Sequence, residues 1–216
     1  MKYNVPFISN TPDDMHCLNA SYMMIAKYFD PSFDIPMEEW ATLTGFEPSK
    51  GTWANAGMVW FHEHGYDVSH TSLFDYQRFI EEGEGYLLYL DGNEVGQWMI
   101  DHTNMPAEIA RTRKLIDAGL ITHREPTQAD VKTALDKGCL VRVNLNAHRL
   151  DGRDGYVGHA VVVIGYDERG FILHDPGLPG TPYRHVTYDV FESAWADPNA
   201  EAKELDAIRK PVETLF

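Results

Sequence analysis

The sequence predicts an α+β fold: a helical lobe that carries the candidate nucleophile on one of its helices, packed on an antiparallel sheet. Three observations point there. Apolar residues recur at helical spacing between residues 17 and 63 and again at 126–138. From about residue 138 onward the apolar residues fall instead into short strand-like runs divided by glycine-rich turns. The chain has 216 residues, with no internal repeat or low-complexity tract, enough for one large domain or two small lobes around a cleft.

Taken in order, YNVPFIS (3–9) reads as a short extended segment that Pro6 keeps at an edge or in a loop. TPDDMH is a polar turn, and CLNASYMMIAKYF (17–29) is a helix that Pro31 ends. MEEWATLTG (37–45) and NAGMVWFHEHG (55–65) are further helices, stopped by Gly45 and Gly65. YDVSHTSL (66–73) is a short strand and DYQRFIEEG an acidic helix. YLLYLDG (86–92) fits either a strand or a helix. Glu94 to about Leu120 is helical, broken near Asn104 and Pro106. In PTQADVKTALDKG (126–138) Thr127 caps a helix and Gly138 stops it. CLVRVNLN (139–146) is a strand and AHRLDGRDGYVG a turn-rich loop. GHAVVVIGYD and FILHDPG are two strands, and TPYRHVTYDVFESAW gives a last strand and a short helix. The acidic tail is expected to lie at the periphery.

Hydrophobic content of 44% and charged content of 24% are those of an ordinary globular chain. A net charge of −15, with no basic stripe, argues against nucleic acid and anionic lipid as partners. No apolar run approaches the ~20 residues that span a bilayer. The first residues lack an apolar signal core, so a cytoplasmic location is expected. Oligomeric state is not readable from these features. Two cysteines without CxxC spacing do not suggest structural zinc, and a disulfide between them does not suit a reducing compartment.

The chemistry sits at three places. Cys17 opens a helix, where free N–H groups and the positive end of the macrodipole lower a thiol pKa. His159 heads an apolar strand, an awkward place for an imidazole unless something bonds it. Asp175 ends the next strand, where a carboxylate could hold one ring nitrogen and leave the other facing the thiol. Each has a plainer alternative: a buried core cysteine, a histidine capped by a carbonyl, and the first residue of an Asp-Pro-Gly turn.

The pairing of His159 with Asp175 requires both on one face of the sheet. A two-residue turn at Glu168–Arg169 would place Asp175 opposite Val162, on the wrong face. A three-residue loop with Gly170 left-handed would correct this.

GHAVVVIGYDERGFILHDPG resembles the His-to-Asp segment of papain-like cysteine peptidases. Within them it is most similar to the bacteriocin-processing, double-glycine-leader peptidases, cysteine peptidase family thirty-nine, and their stand-alone relatives. VPFISNTPDDMHCLNASYMMIAKYF resembles that group's nucleophile helix, and PTQADVKTALDKGCLVRVNLN its helix-then-strand step before the histidine. Together these segments cover about half the chain, at both ends. The resemblance implies a papain-like fold over one peptidase domain, residues 1–216, with residues 66–125 as an unmatched, mainly helical insertion. It implies Cys17 as nucleophile, His159 as general base and acid, and Asp175 as orienter, acting on a peptide or amide with no cofactor and no metal. The group has an oxyanion-binding glutamine shortly before the nucleophile; here Asn10, seven residues ahead and one methylene shorter, is the nearest amide. Leu18 and Asn19 also depart from the group's usual Gly and Pro.

These departures keep a second expectation open, a non-catalytic peptide-binding module on the same fold. A third is an acyl or peptidyl transferase using the same triad, and a fourth makes the unmatched middle segment a cap over the cleft that recognises one partner, to be tested by deleting residues 91–125. The double-glycine specificity itself is not carried over, because it belongs to relatives fused to exporters. His62, His64 and His70 invite a metal reading, but His62 and His64, two apart on a helix, face different sides. His16 and His174 either line the cleft or face solvent. Trp53, Trp60, Phe61 and Trp98 are either a substrate wall or core, and Cys139 is expected to be inert.

Overall fold

The computed structural model describes residues 1–211. The last five residues of the expected 1–216 domain, and with them the end of the acidic tail, lie outside the described residues.

The helices begin where the sequence places them: α1 at Cys17–Phe29, α2 at Met37–Leu43 and α3 at Asn55–Glu63. β1 (Asp67–Ser72) and α4 (Tyr76–Glu82) follow. The ambiguous YLLYLDG is helical, the first half of α5 (Glu84–Asp101). Gly92 breaks that helix with φ 75°, ψ 174°, values open to glycine, and the second half folds back on the first. Gly96 permits the crossing, since a Cβ there would lie 2.7 Å from the Leu87 carbonyl oxygen. α6 (Met105–Asp117) is capped by Asn104, and β2 (Ile121–His123) ends this middle segment. Residues 66–125 thus hold two strands as well as helices.

α7 (Gln128–Asp136) carries the expected Thr127 cap, completed by Asp130 into a reciprocal capping box. β3 (Leu140–Asn146) leads into one helical turn, α8 (Ala147–Leu150), within the stretch expected to be loop. β4 (Gly158–Tyr166), β5 (Gly170–Asp175), β6 (Thr181–Thr187) and α9 (Tyr188–Trp195) complete the predicted elements. The C-terminal segment corrects the expectation of a peripheral tail. After a 3₁₀ turn at Ala200–Ala202 it forms β7 (Glu204–Arg209), whose Leu205, Asp206, Ala207 and Ile208 are buried. Its acidic residues masked a continuous run of buried side chains.

The seven strands run in the order β2-β1-β7-β3-β4-β5-β6. All pairs are antiparallel except β1 with β2. Helices cover both faces. Leu140, Ala160, Val162, Ile164 and Ile208 pack with α1, α2 and α3 in one core. Val141, Val143, Val161, Val163, Phe171 and Leu173 pack with α7 and α9 in the other. Burial on both faces explains why β4 is a continuous apolar run and not an alternating one. A satellite core of Phe79, Tyr86, Leu87 and Met105 joins α4, α5 and α6.

Gly57 on α3 faces Tyr22 on α1, and a Cβ there would lie 2.2 Å from the Tyr22 ring. That ring is fully buried, its hydroxyl donating to Asp206 Oδ2 at 2.7 Å and held at 3.1 Å from the Ala54 carbonyl, so it has no room to yield. Gly57→Ala is therefore expected to destabilise the protein by about 1–3 kcal/mol. The urea midpoint should fall with little change in slope.

Candidate active site

Cys17 is the first residue of α1 and is half-buried. The loop that delivers it closes around Asn10. The Asn10 side-chain oxygen accepts from Thr11 N at 2.9 Å and His16 N at 2.7 Å, and its Nδ2 donates to Asp14 Oδ1 at 2.8 Å. The Asn10 backbone N–H donates to the Pro176 carbonyl at 2.7 Å, tying this loop to the end of β5. One N–H of the Asn10 amide is thus engaged by Asp14, and the group carries a second.

His159 lies one residue into β4, opposite Leu145 of β3. Its Nε2 is 2.7 Å from Asp175 Oδ1, and the Cys17 thiol is near enough to raise the basicity of the ring. Asp175 Oδ1 also accepts from Gly177 N at 3.0 Å, and Oδ2 accepts from Arg184 Nη1 at 2.8 Å. A side chain at position 177 would crowd this pair, because a Cβ would stand 3.1 Å from Asp175 Oδ1 and 3.5 Å from His159 Nε2. The structure therefore brings Cys17, His159 and Asp175 together, with Asn10 in the loop that enters the nucleophile helix.

The register solution differs from the expected one. The turn is the short one, with Tyr166 opposite Phe171 and Gly165 opposite Ile172. The face is corrected by a bulge between Val163 and Gly165, beyond which Val163 pairs with Leu173 and Val162 with His174. With His174 opposite Val162, the next residue, Asp175, falls on the other face, that of Val161 and His159. Gly170 is not among the residues of positive φ; a Cβ there would lie 1.9 Å from the Val186 carbonyl oxygen, so β6 requires the glycine.

The electrostatics favour a charged pair. Burial pushes the Cys17 thiol up, but the hydrogen bond and charge of His159, with backbone bonds at Ala160 and Leu18, bring it below its ordinary value. Burial disfavours the His159 cation, yet hydrogen bonds to Asp175 and Cys17 and their charges raise it to about 10. Asp175, despite its burial, is held at about 2 by His159, the Gly177 N–H and Arg184. These shifts favour a thiolate beside an imidazolium, with the Asp175 carboxylate on the far side of the ring.

Other candidates fall elsewhere. His174 is fully buried on β5: its Nε2 is 2.9 Å from the Val5 carbonyl and its Nδ1 accepts from Tyr183 N at 3.1 Å. His16 is also buried, 4.1 Å from the Phe46 ring, with Nδ1 3.1 Å from Asn19 Oδ1. Both hold local structure, which corrects the expectation of solvent exposure. His62 and His64 are exposed at the end of α3, whereas His70 is buried on β1 against Asp206 at 2.6 Å. Trp53 stacks on Phe79, Trp60 and Phe61 pack with Trp40, and Trp98 is exposed on α5, so the four do not form one wall. Burial raises the Cys139 thiol, in contrast to Cys17. Arg184 is the residue that sequence reasoning missed. Nothing in TPYRHV marks it, since its role depends on the β5–β6 register.

A model of the Peptidase_C39 like family matches residues 2–202. Among curated proteins none matches. Several solved structures are similar in fold. A protein described as a C39-like peptidase from Bacillus anthracis is 15% identical, with a TM-score of 0.54 over 97% of this chain and 96% of that one. A double glycine motif protease from an AMS/PCAT transporter, in complex with its leader peptide, is 10% identical, with a TM-score of 0.51 over 97% and 94%. The peptidase domain of Streptococcus ComA, a bi-functional ABC transporter involved in quorum sensing, is 11% identical, with a TM-score of 0.50 over 96% and 100%. Among the described residues no helix is long and apolar enough to cross a membrane.

Proposed function

The chain belongs to the Peptidase_C39 like family, and from that premise we propose that it is a cysteine-dependent hydrolase that cleaves a peptide or amide bond through a Cys17 acyl-enzyme. The observation that supports this most is the meeting of Cys17, at the N-terminus of α1, with a His159 ring held 2.7 Å from Asp175.

The Cys17 thiolate attacks the carbonyl carbon, and the oxygen takes up the negative charge. The Cys17 N–H, unpaired within the helix at its first position, is one donor to that oxyanion, and the second N–H of the Asn10 amide is the other. His159 passes its proton to the leaving amine as the C–N bond breaks and a thioester remains. The neutral imidazole then takes a proton from water, whose oxygen attacks the thioester and releases the acid and the thiolate. Asp175 keeps the ring aligned throughout. An amine in place of that water would give transfer instead of hydrolysis.

Residues 66–125 belong to the same catalytic unit in this reading. Asn55 of α3 donates to Glu108 at 3.0 Å and to Thr112 at 3.2 Å on α6, which ties the middle segment to the helix beside α1.

The test is a peptide panel read by mass spectrometry, with peptides that carry a double-glycine site, as in the similar protease, and peptides that lack one. Cleavage, with a thioester adduct on Cys17 and complete loss in Cys17→Ala, is the expected result. Binding of a panel peptide without cleavage, unchanged by Cys17→Ala, would instead support the peptide-binding module.

A further inference from the structure

Arg184 makes contacts that a lone ion pair would not. Its Nη1 donates to Asp175 Oδ2 at 2.8 Å, and its Nη2 donates to the Leu150 carbonyl at 2.8 Å and to Asp151 Oδ1 at 2.7 Å. One guanidinium thus joins the end of β5 to the turn after α8, from which residues 152–157 lead into Gly158 and His159. The arginine fork is rigid and planar, so both attachments fix one geometry. β6 is shaped around this contact. Pro182 and Tyr183 together stand against the single residue His174, while Arg184 pairs with Leu173 on the Asp175 face of the sheet.

We propose that Arg184 is a positioning residue for the Cys17–His159 pair, holding the Asp175 carboxylate in the plane of the imidazole and locking to it the loop that leads into β4 and His159. This rests on the thiol-hydrolase reading of the same site. The charged groups that face the assembly are Cys17 on α1, His159 on β4, Asp175 on β5 and Asp151 after α8. Arg153 belongs with them, since it donates to Asp151 Oδ2 at 2.8 Å. His185 on β6 turns instead to Asp167 at 3.0 Å.

A purely structural arginine and a positioning one differ in what the thiol reports. The pH dependence of Cys17 alkylation has two steps, ionisation of the thiol beside the imidazolium and loss of the imidazolium proton. Arg184→Met removes a cation, so both steps should move up, by roughly half a pH unit. Arg184→Lys keeps the charge but not the planar fork, so both steps should stay near their original positions while the plateau rate of Cys17 labelling falls. Asp151→Asn removes an anion from the other end of the fork and should move both steps down. Opposite shifts from the two ends cannot come from general loosening of the fold, and Asp151→Asn carries the test if Arg184→Met does not fold. If the unaltered protein shows both steps and neither Arg184→Met nor Asp151→Asn moves them, the positioning role is overturned while the triad stands. If the unaltered protein shows no low-pH step, the thiol-hydrolase reading fails and the proposal fails with it.

Discussion

His159→Ala should abolish the reactivity of Cys17 below neutral pH and lower turnover about 10⁴-fold. Burial alone would push the Cys17 thiol up, and the largest opposing influence is the His159 ring, through its hydrogen bond and its charge. Without the ring the thiol keeps only the helix terminus and the backbone bonds at Leu18 and Ala160 as anion-stabilising contacts. In the unaltered protein, activity should rise with pH as Cys17 ionises. It should fall only as the imidazolium, raised to about 10, loses its proton. A wide plateau through neutrality is the expected profile. Asp175→Asn should narrow that plateau from the alkaline side, because the anion that holds up the imidazolium is gone. Rate against pH for the three proteins on one cleaved peptide measures both effects.

Asp206→Asn is expected to cost about 3–5 kcal/mol of stability, because it leaves Arg142 buried without its main counter-charge. Arg142 is 1% exposed and Asp206 fully buried. Asp206 Oδ2 accepts from Arg142 Nε at 2.7 Å and from the Tyr22 hydroxyl at 2.7 Å, and Oδ1 lies 2.6 Å from His70 Nδ1. His70 Nε2 is in turn 2.8 Å from the Tyr76 hydroxyl, and Glu204 completes the set around Arg142. This network ties β7, β3 and β1 to Tyr22, five residues along the helix that starts at Cys17. Urea denaturation measures the loss, and an unchanged midpoint would contradict it. Burial raises the Asp206 carboxyl, but Arg142, His70 and Tyr22 bring it down to about 2. A carboxylate lowered on folding stabilises fully above its unfolded value near 3.8, and that contribution fades as pH falls toward 2. Asp206→Asn should remove this part of the acid sensitivity.

The candidate triad is legible because each member sits at a local signal. Cys17 follows a polar turn, His159 opens a continuous apolar run, and Asp175 precedes Pro-Gly. Helix boundaries are legible for a similar reason, since Thr127, Pro31 and Gly138 act within one turn of their own position. What is not legible depends on pairing distant in sequence. β7 hides in an acidic stretch because Asp206 is satisfied by Arg142 and His70, from two other strands. Arg184 has no local mark because its partners lie 9 and 33 residues away. The face of Asp175 depends on a bulge at Ile164, inside a run of valines and isoleucine that looks uniform in sequence. For Asn10 the sequence gives proximity to Cys17, and only the structure gives its hydrogen bonds to Thr11, Asp14 and His16.

The most direct test of the central claim is the rate of Cys17 alkylation by iodoacetamide against pH, read by peptide mass spectrometry in the unaltered protein and in His159→Ala. Cys139, whose thiol burial raises, serves as the internal control. A thiolate–imidazolium pair predicts rapid labelling of Cys17 at about pH 5–6 that disappears in His159→Ala, while Cys139 stays unreactive there. Labelling of Cys17 that follows an ordinary thiol, half-maximal near pH ~8.5 and indifferent to His159, would contradict the account.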